Sequence, residues 1–166
     1  EKERNEVLSI RPRESLIDII QNKERKSQER TEWNLGYRLN KFKNIQEDIE
    51  GIQSGLYCIG GDANTGKTAF LVNLFMDIID SNNDVYGIYF SLDDNKNTIL
   101  NRIIAMFSKV EINKIDKLGL LENEDEKNRI QESYDKVKEL AKNQFDIQDI
   151  SDTENFEGLK RIIEVK

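Results

Sequence analysis

The sequence predicts an α/β fold in which a parallel sheet is flanked by helices. Segments with the composition of strands alternate with segments whose apolar residues recur at helical spacing. Such alternation is typical of parallel strands joined through covering helices. The octapeptide Gly61–Thr68 adds a second observation, because it has the pattern of a phosphate-binding loop: Gly, four free positions, then Gly-Lys-Thr.

The composition is that of one folded domain with a heavily charged surface. The chain has 166 residues, of which 37% are hydrophobic and 34% charged, which is enough for a core. It has no apolar run long enough to span a membrane and no signal-peptide pattern at its start. The absence of histidine excludes histidine-based acid–base chemistry and histidine metal sites. A net charge of −7 argues against nucleic-acid binding by overall attraction, but not by a local loop or a ring of subunits.

The first 35 residues differ from the rest and predict a charged helix from about 13 to 31. Pro12 suits the start of a helix, and an apolar patch occupies its first half. The patch consists of Leu16, Ile17, Ile19 and Ile20. Two interpretations stay open, because the patch can pack on its own domain or on a neighbouring subunit.

The phosphate-binding pattern has the flanking elements that it requires. The apolar run Leu56–Ile59 predicts a buried strand before it, with Cys58 as a small core residue. Apolar residues at helical spacing predict a helix from Lys67 until the turn formers Ser81–Asp84. In such a loop the glycines allow the backbone N–H groups to point at phosphate oxygens, and Lys67 supplies a positive charge.

The remainder of the chain continues the alternation of strands and helices. The predicted elements are a strand at Val85–Ser91, a helix at Asn97–Phe107, a short helix or loop at Glu111–Leu121, a helix at Asp125–Lys142, a strand at Phe145–Ile150 and a helix at Asn155–Val165. Only three strands are therefore predicted, which is few for such a sheet.

Two carboxylates follow the second predicted strand, in the sequence Ser91-Leu92-Asp93-Asp94. Functional loops of parallel sheets lie at the carboxyl ends of strands, so these aspartates could face a bound γ-phosphate. The alternative is a solvated turn, with Asp94 or Asn95 capping the next helix.

Together, Ser91–Asp94 and Arg102, eleven positions after Ser91, resemble the Ser-Leu-Glu-Met motif and following arginine of DnaB-like replicative helicases. The resemblance extends through Thr68-Ala69-Phe70, which continues that family's Gly-Lys-Thr-Ala-Phe block, and covers about residues 14–166. It implies a RecA-like P-loop NTPase, apparently truncated before the Walker B strand. The implied domains are a charged helical linker at 1–35 and a partial RecA-like ATPase domain at 36–166.

The resemblance also implies the ligands and the site residues. ATP and Mg²⁺ are the expected cofactors, with Lys67 and Asp93 as catalytic residues and Thr68 as the metal ligand. The expected cofactor-binding residues are Gly61, Asp62, Ala63, Asn64, Thr65, Gly66, Lys67, Thr68, Ala69 and Arg102. The implied activity is ATP hydrolysis coupled to single-stranded DNA translocation by a hexameric homo-oligomer in the cytoplasm. A primase or a helicase loader is a further implied partner, and a membrane is not.

Two departures from the family pattern keep alternatives open. Asp93 stands where the family has glutamate, and the aspartate is shorter by about 1.5 Å of reach. The family's next strand, with its Mg²⁺-binding aspartate, is not among these residues. The alternatives are another RecA-like ATPase, or a nucleotide-dependent assembly or loader module with weak or no hydrolysis. A sheet that lacks neighbouring strands also predicts self-association through an exposed apolar edge.

Overall fold

The computed structural model describes residues 15–28, 36–149 and 151. The chain divides into two compact units, Glu1–Trp33 and Asn34–Lys166. In the first unit, helix α1 (Leu16–Gln28) confirms the predicted N-terminal helix over the described residues. The side chains of Ser15 and Asp18 each accept the other's backbone N–H, at 3.1 and 3.2 Å, and so cap the helix start. The four apolar residues of its first half are all exposed.

The second unit contains six helices and two strands among its described residues. In chain order, five α-helices and the two strands are α2 (Lys43–Ile49), α3 (Lys67–Ser81), β1 (Gly87–Ser91), α4 (Lys96–Ser108), α5 (Ile112–Ile115), α6 (Glu124–Asn143) and β2 (Phe145–Asp149). The sixth helix is a short 3-10 helix (Leu118–Leu120) between α5 and α6. The predicted helices after the phosphate-binding pattern, after β1 and before β2 are thus confirmed. The helix predicted at Asn155–Val165 lies outside the described residues.

Strands β1 and β2 pair in parallel, which confirms the predicted α/β class. Their register runs from Gly87 opposite Phe145 to Ser91 opposite Asp149. Helices α4, α5 and α6 form the connection between the two strands. Among the described residues, the sheet consists of these two strands.

The core lies where α3, α4 and α6 meet one another and the strands. Its buried residues are Val72, Met76, Ile79, Ile99, Ile103, Ile104, Val110, Ile115, Ile130, Val137 and Phe145. The ring of Phe75 on α3 makes edge-to-face contacts with Tyr89 and Phe145, with centroids 5.5 and 6.0 Å apart. These contacts fix the helix that carries Lys67 against both strands.

Segment 36–42 lies along α3 and meets it at three levels. The side chain of Asn82 accepts the N–H of Arg38 at 3.0 Å and donates to its carbonyl at 3.1 Å. The buried carboxylate of Asp77 accepts the N–H of Lys41 at 2.8 Å. The rings of Phe42 and Phe70 meet edge to face at 5.2 Å.

The prediction of a buried strand at Leu56–Ile59 is wrong. The segment is not a strand, Leu56 is 90% exposed, and Cys58 is exposed rather than a core residue. An apolar run becomes a buried strand only where neighbouring strands supply its hydrogen bonds. Strands β1 and β2 pair with each other, and neither forms a ladder with this run.

None of the described helices combines the length and the apolar character that crossing a membrane requires.

Candidate nucleotide-binding site

The backbone of the phosphate-binding loop is shaped by two residues in the left-handed region. Asn64 has φ 61° and Gly66 has φ 88°. Asparagine and glycine are the residues that adopt this conformation most readily. Gly66 caps α3, and its carbonyl accepts the N–H of Phe70 at 2.9 Å, so the chain passes directly from the curled loop into the helix.

The ammonium of Lys67 bends back over the loop that precedes it. Its Nζ donates to the carbonyl of Gly61 at 3.0 Å and to that of Asp62 at 2.6 Å. The hydroxyl of Thr65 donates to the same Asp62 carbonyl at 2.8 Å. The loop is therefore closed by its own lysine, which places a positive charge beside the N-terminus of a 15-residue helix.

This arrangement is suited to a polyanion. The N–H groups at the start of α3 have no partner within the helix, and the helix dipole adds a partial positive charge there. The loop from Gly61 to Gly66 is exposed, so a ligand can reach it. Lys67 and Thr68 are half-buried in the first turn of α3, with Ala69 exposed next to them.

A magnesium ion at this site would depend on Thr68 and on phosphate oxygens. Within residues 15–28, 36–149 and 151, no three side chains of the metal-ligating types cluster closely enough to hold an ion by themselves. Mg²⁺ is commonly bound through one or two protein ligands, several waters and the phosphates of a nucleotide. The donor set of this loop fits that mode of binding.

The loop after β1 separates the two predicted carboxylates. Asp94 is half-buried and forms an ion pair with Arg102, at 3.4 Å between Oδ2 and Nη2. Its backbone N–H donates to the hydroxyl of Ser91 at 3.2 Å. Asp93 is exposed and has no side-chain partner among the described residues.

The guanidinium of Arg102 has one ion pair among the described residues, the pair with Asp94. Its Nε atom is buried and has no hydrogen-bond partner among the described residues. The pKa of the nearby Tyr89 hydroxyl is raised, because the residue is partly buried and lies close to the negative charge of Asp94. No hydrogen bond or ion pair in the described part of the chain joins Arg102 or Asp93 to Gly61–Thr68, so their roles toward a nucleotide stay predictions.

Sequence reasoning missed one carboxylate at this edge of the sheet. Asp149 ends β2 beside Ser91, and its Oδ2 accepts the backbone N–H of Lys96 at 2.8 Å. Hydrogen bonds from Ser151 and from that N–H hold the pKa of Asp149 below its usual value. Its only sequence signal is its place at the end of a predicted strand, because its partners lie far away along the chain.

A curled loop with Gly-Lys-Thr at a helix N-terminus, beside parallel strands, defines a P-loop nucleotide-binding protein of the α/β class. A comparison with protein families gives the narrower identity. Residues 39–163, more than half of the chain, match the family described as DnaB-like helicase C terminal domain, and the chain belongs to that family. Its fold is therefore RecA-like, and it is an ATPase module of the DnaB-like helicase type. No curated protein matches the chain.

Proposed function

We propose that this chain is the ATP-binding part of a replicative DNA helicase motor, in which ATP hydrolysis moves single-stranded DNA through a ring of subunits. The observation that carries the proposal is the phosphate-binding loop on the N-terminus of α3 in a chain of the DnaB-like family. The same proposal includes a hexameric homo-oligomer, a primase or helicase loader as partner, and a cytoplasmic location. It also keeps residues 1–35 as a linker and 36–166 as the ATPase part.

The loop would hold the ATP phosphates through its backbone and Lys67. The amides of Gly61–Ala69 would line the cradle, and Lys67 would exchange the carbonyls of Gly61 and Asp62 for β- and γ-phosphate oxygens. The exchange is favoured because a phosphate carries a full negative charge where a carbonyl carries a partial one. The hydroxyl of Thr68 would ligate Mg²⁺, which neutralises phosphate charge when it is bound.

Asp93 would orient the water that attacks the γ-phosphate. It is the available carboxylate of the pair, since Asp94 is engaged by Arg102. An exposed carboxylate at the carboxyl end of a parallel strand is placed where ligands of such sheets bind. Arg102 would brace this loop beside the nucleotide.

The test is ATP binding and turnover by the Lys67→Ala variant of the intact protein. We expect loss of measurable binding of a non-hydrolysable ATP analogue, because the substitution removes the ammonium group that lies over the loop and would meet the phosphates. Lys138→Ala, which removes an exposed lysine of α6, is the matched control and should bind as the wild type does. Unchanged affinity in Lys67→Ala would contradict the proposed site.

A second candidate is a nucleotide-dependent assembly or loader module with weak or no hydrolysis. The observation that favours it is Asp93 itself, an acid shorter than the glutamate of the helicase motif. Another RecA-like ATPase would share the same loop. Turnover that rises strongly with single-stranded DNA supports the motor and excludes the binding-only module; tight ATP binding with no turnover does the reverse.

A further inference from the structure

The last residue of β2 touches both ends of the loop that carries Asp93. The strand register places Asp149 directly beside Ser91, the last residue of β1. Its carboxylate oxygen Oδ2 accepts the backbone N–H of Lys96, the first residue of α4, at 2.8 Å. The loop between β1 and α4 thus begins and ends against one residue of the neighbouring strand.

Asp149 is itself held in place. Its residue surface is 8% exposed, so its side chain has little room to turn. Its other oxygen, Oδ1, accepts the backbone N–H of Ser151 at 2.9 Å and also the Ser151 hydroxyl. A carboxylate that accepts several hydrogen bonds stays ionised, and an anion is favoured at the N-terminus of a helix such as α4.

The inner part of the loop is also fixed, except at two positions. The side chain of Asn95 caps α4 by accepting the N–H of Thr98 at 2.9 Å. Asp94 is held by the hydroxyl of Ser91 and by Arg102. Leu92 and Asp93 at the tip are exposed and lack such a contact among the described residues, so the place of the Asp93 carboxylate depends on the anchors of the loop.

We propose that Asp149 is a positioning residue that sets the location of the Asp93 carboxylate, an inference that rests on the proposed role of Asp93 in hydrolysis. Asp149 does not touch the nucleotide in this proposal. It ties the start of α4 to β2, and the loop transmits that constraint to Asp93. Displacement of a catalytic group by about 1 Å can cost up to about a hundredfold in rate, so even a small shift of the loop would be measurable.

The test is a double-mutant cycle of Asp149→Asn and Asp93→Ala in the intact protein, read as DNA-stimulated ATP turnover. Asp149→Asn alone should lower kcat about tenfold and leave the KM for ATP unchanged, because the loop moves while the phosphate cradle does not. In the Asp93→Ala background the same substitution should have no further effect on kcat, since there is no carboxylate left to position. Asp135→Asn, at an exposed carboxylate of α6, is the matched control and should leave kcat unchanged.

The outcomes separate this inference from the function on which it rests. A wild type that binds ATP and never hydrolyses it overturns both proposals. Wild-type turnover with an unaltered Asp149→Asn variant, or losses that add in the double variant, overturns the positioning role alone. If Asp149→Asn does not fold, Ser151→Ala replaces it in the cycle; this variant removes one anchor of the carboxylate and should lower kcat severalfold, again only when Asp93 is present.

Discussion

Asp93 and Asp94 are adjacent in sequence and differ in what surrounds them. Asp94 is paired with Arg102 and partly buried, whereas Asp93 is exposed at the tip of the loop. The free carboxylate is also the one that stands where the helicase motif has glutamate. The length of the side chain at position 93 therefore sets how far this carboxylate reaches, and a substitution can change it.

We predict that Asp93→Glu raises ATP turnover of the intact protein by about tenfold, because the added methylene returns the carboxylate to the reach of the family's glutamate. The measurement is kcat with single-stranded DNA present. Asp94→Glu makes the same chemical change one residue away and should give no gain, since that carboxylate is engaged by Arg102. Equal or lower turnover in Asp93→Glu would show that the shorter acid is not what limits hydrolysis.

How far single residues could be predicted depends on how local their role is. Lys67 and Thr68 belong to a pattern of eight consecutive residues, and the structure places them at the loop and the helix start as the pattern requires. Asp149 and Asp77 could not be found in that way. Their partners, the N–H groups of Lys96 and Lys41, lie 53 and 36 positions away along the chain, and only the fold brings them together.

At the scale of elements, the contact between α3 and β1 depends on the absence of a side chain. A Cβ atom built on Gly87 would lie 2.6 Å from Phe75 Cε2 and 2.8 Å from Ile79 Cδ1, both on α3. The strand can approach the helix this closely because residue 87 is glycine. The approach brings the strand that leads to Asp93 against the helix that begins at Lys67.

Gly87→Ala should therefore destabilise the protein by about 1–3 kcal/mol, since the core must shift to admit the methyl group. The measurement is the free energy of unfolding in urea. Gly119→Ala is the matched control, because nothing lies within 4 Å of the atom it adds, and it should change stability by less than about 0.5 kcal/mol. A Gly87→Ala variant as stable as the control would mean that the contact is not tight.

The elements that the sequence predicted well are those with long periodic patterns. Helices α3, α4 and α6 are 13 to 20 residues long, with a clear apolar face on the core. Helix α2 has seven residues and no side-chain cap, so the sequence contains no pattern that predicts it. The error at Leu56–Ile59 has another cause, because an apolar run cannot reveal whether a partner strand lies beside it.

For the molecule as a whole, that run exposes apolar side chains just before the phosphate-binding loop in the chain. Leu56 is 90% exposed, Tyr57 49% and Ile59 39%, in a stretch that forms neither helix nor strand. Exposed apolar segments whose backbone is not paired in a sheet can pair with other chains. The net charge of −7 opposes association but does not cover this surface.

We predict that the 166-residue chain by itself associates as its concentration rises, measured by sedimentation velocity. The double variant Leu56→Lys with Ile59→Lys should remain monomeric over the same range, because it places two charges on the apolar run. Leu120→Lys changes another highly exposed leucine, in the 3-10 helix, and should associate as the wild type does. A wild-type chain that stays monomeric throughout would contradict the prediction.

The contacts of segment 36–42 have a mechanical consequence. The segment is hydrogen-bonded to Asn82, just past the C-terminal end of α3, and to Asp77 within the helix. Lys67 lies at the opposite end of the same 15-residue helix. A helix of that length is a stiff rod of about 22 Å. A pull on the chain at Arg38 would therefore act on α3 through Asn82 and Asp77, and through Phe42 against Phe70 one turn from Lys67. Tension on this segment would thus reach the phosphate-binding loop along the helix, so that tension and nucleotide occupancy would influence each other.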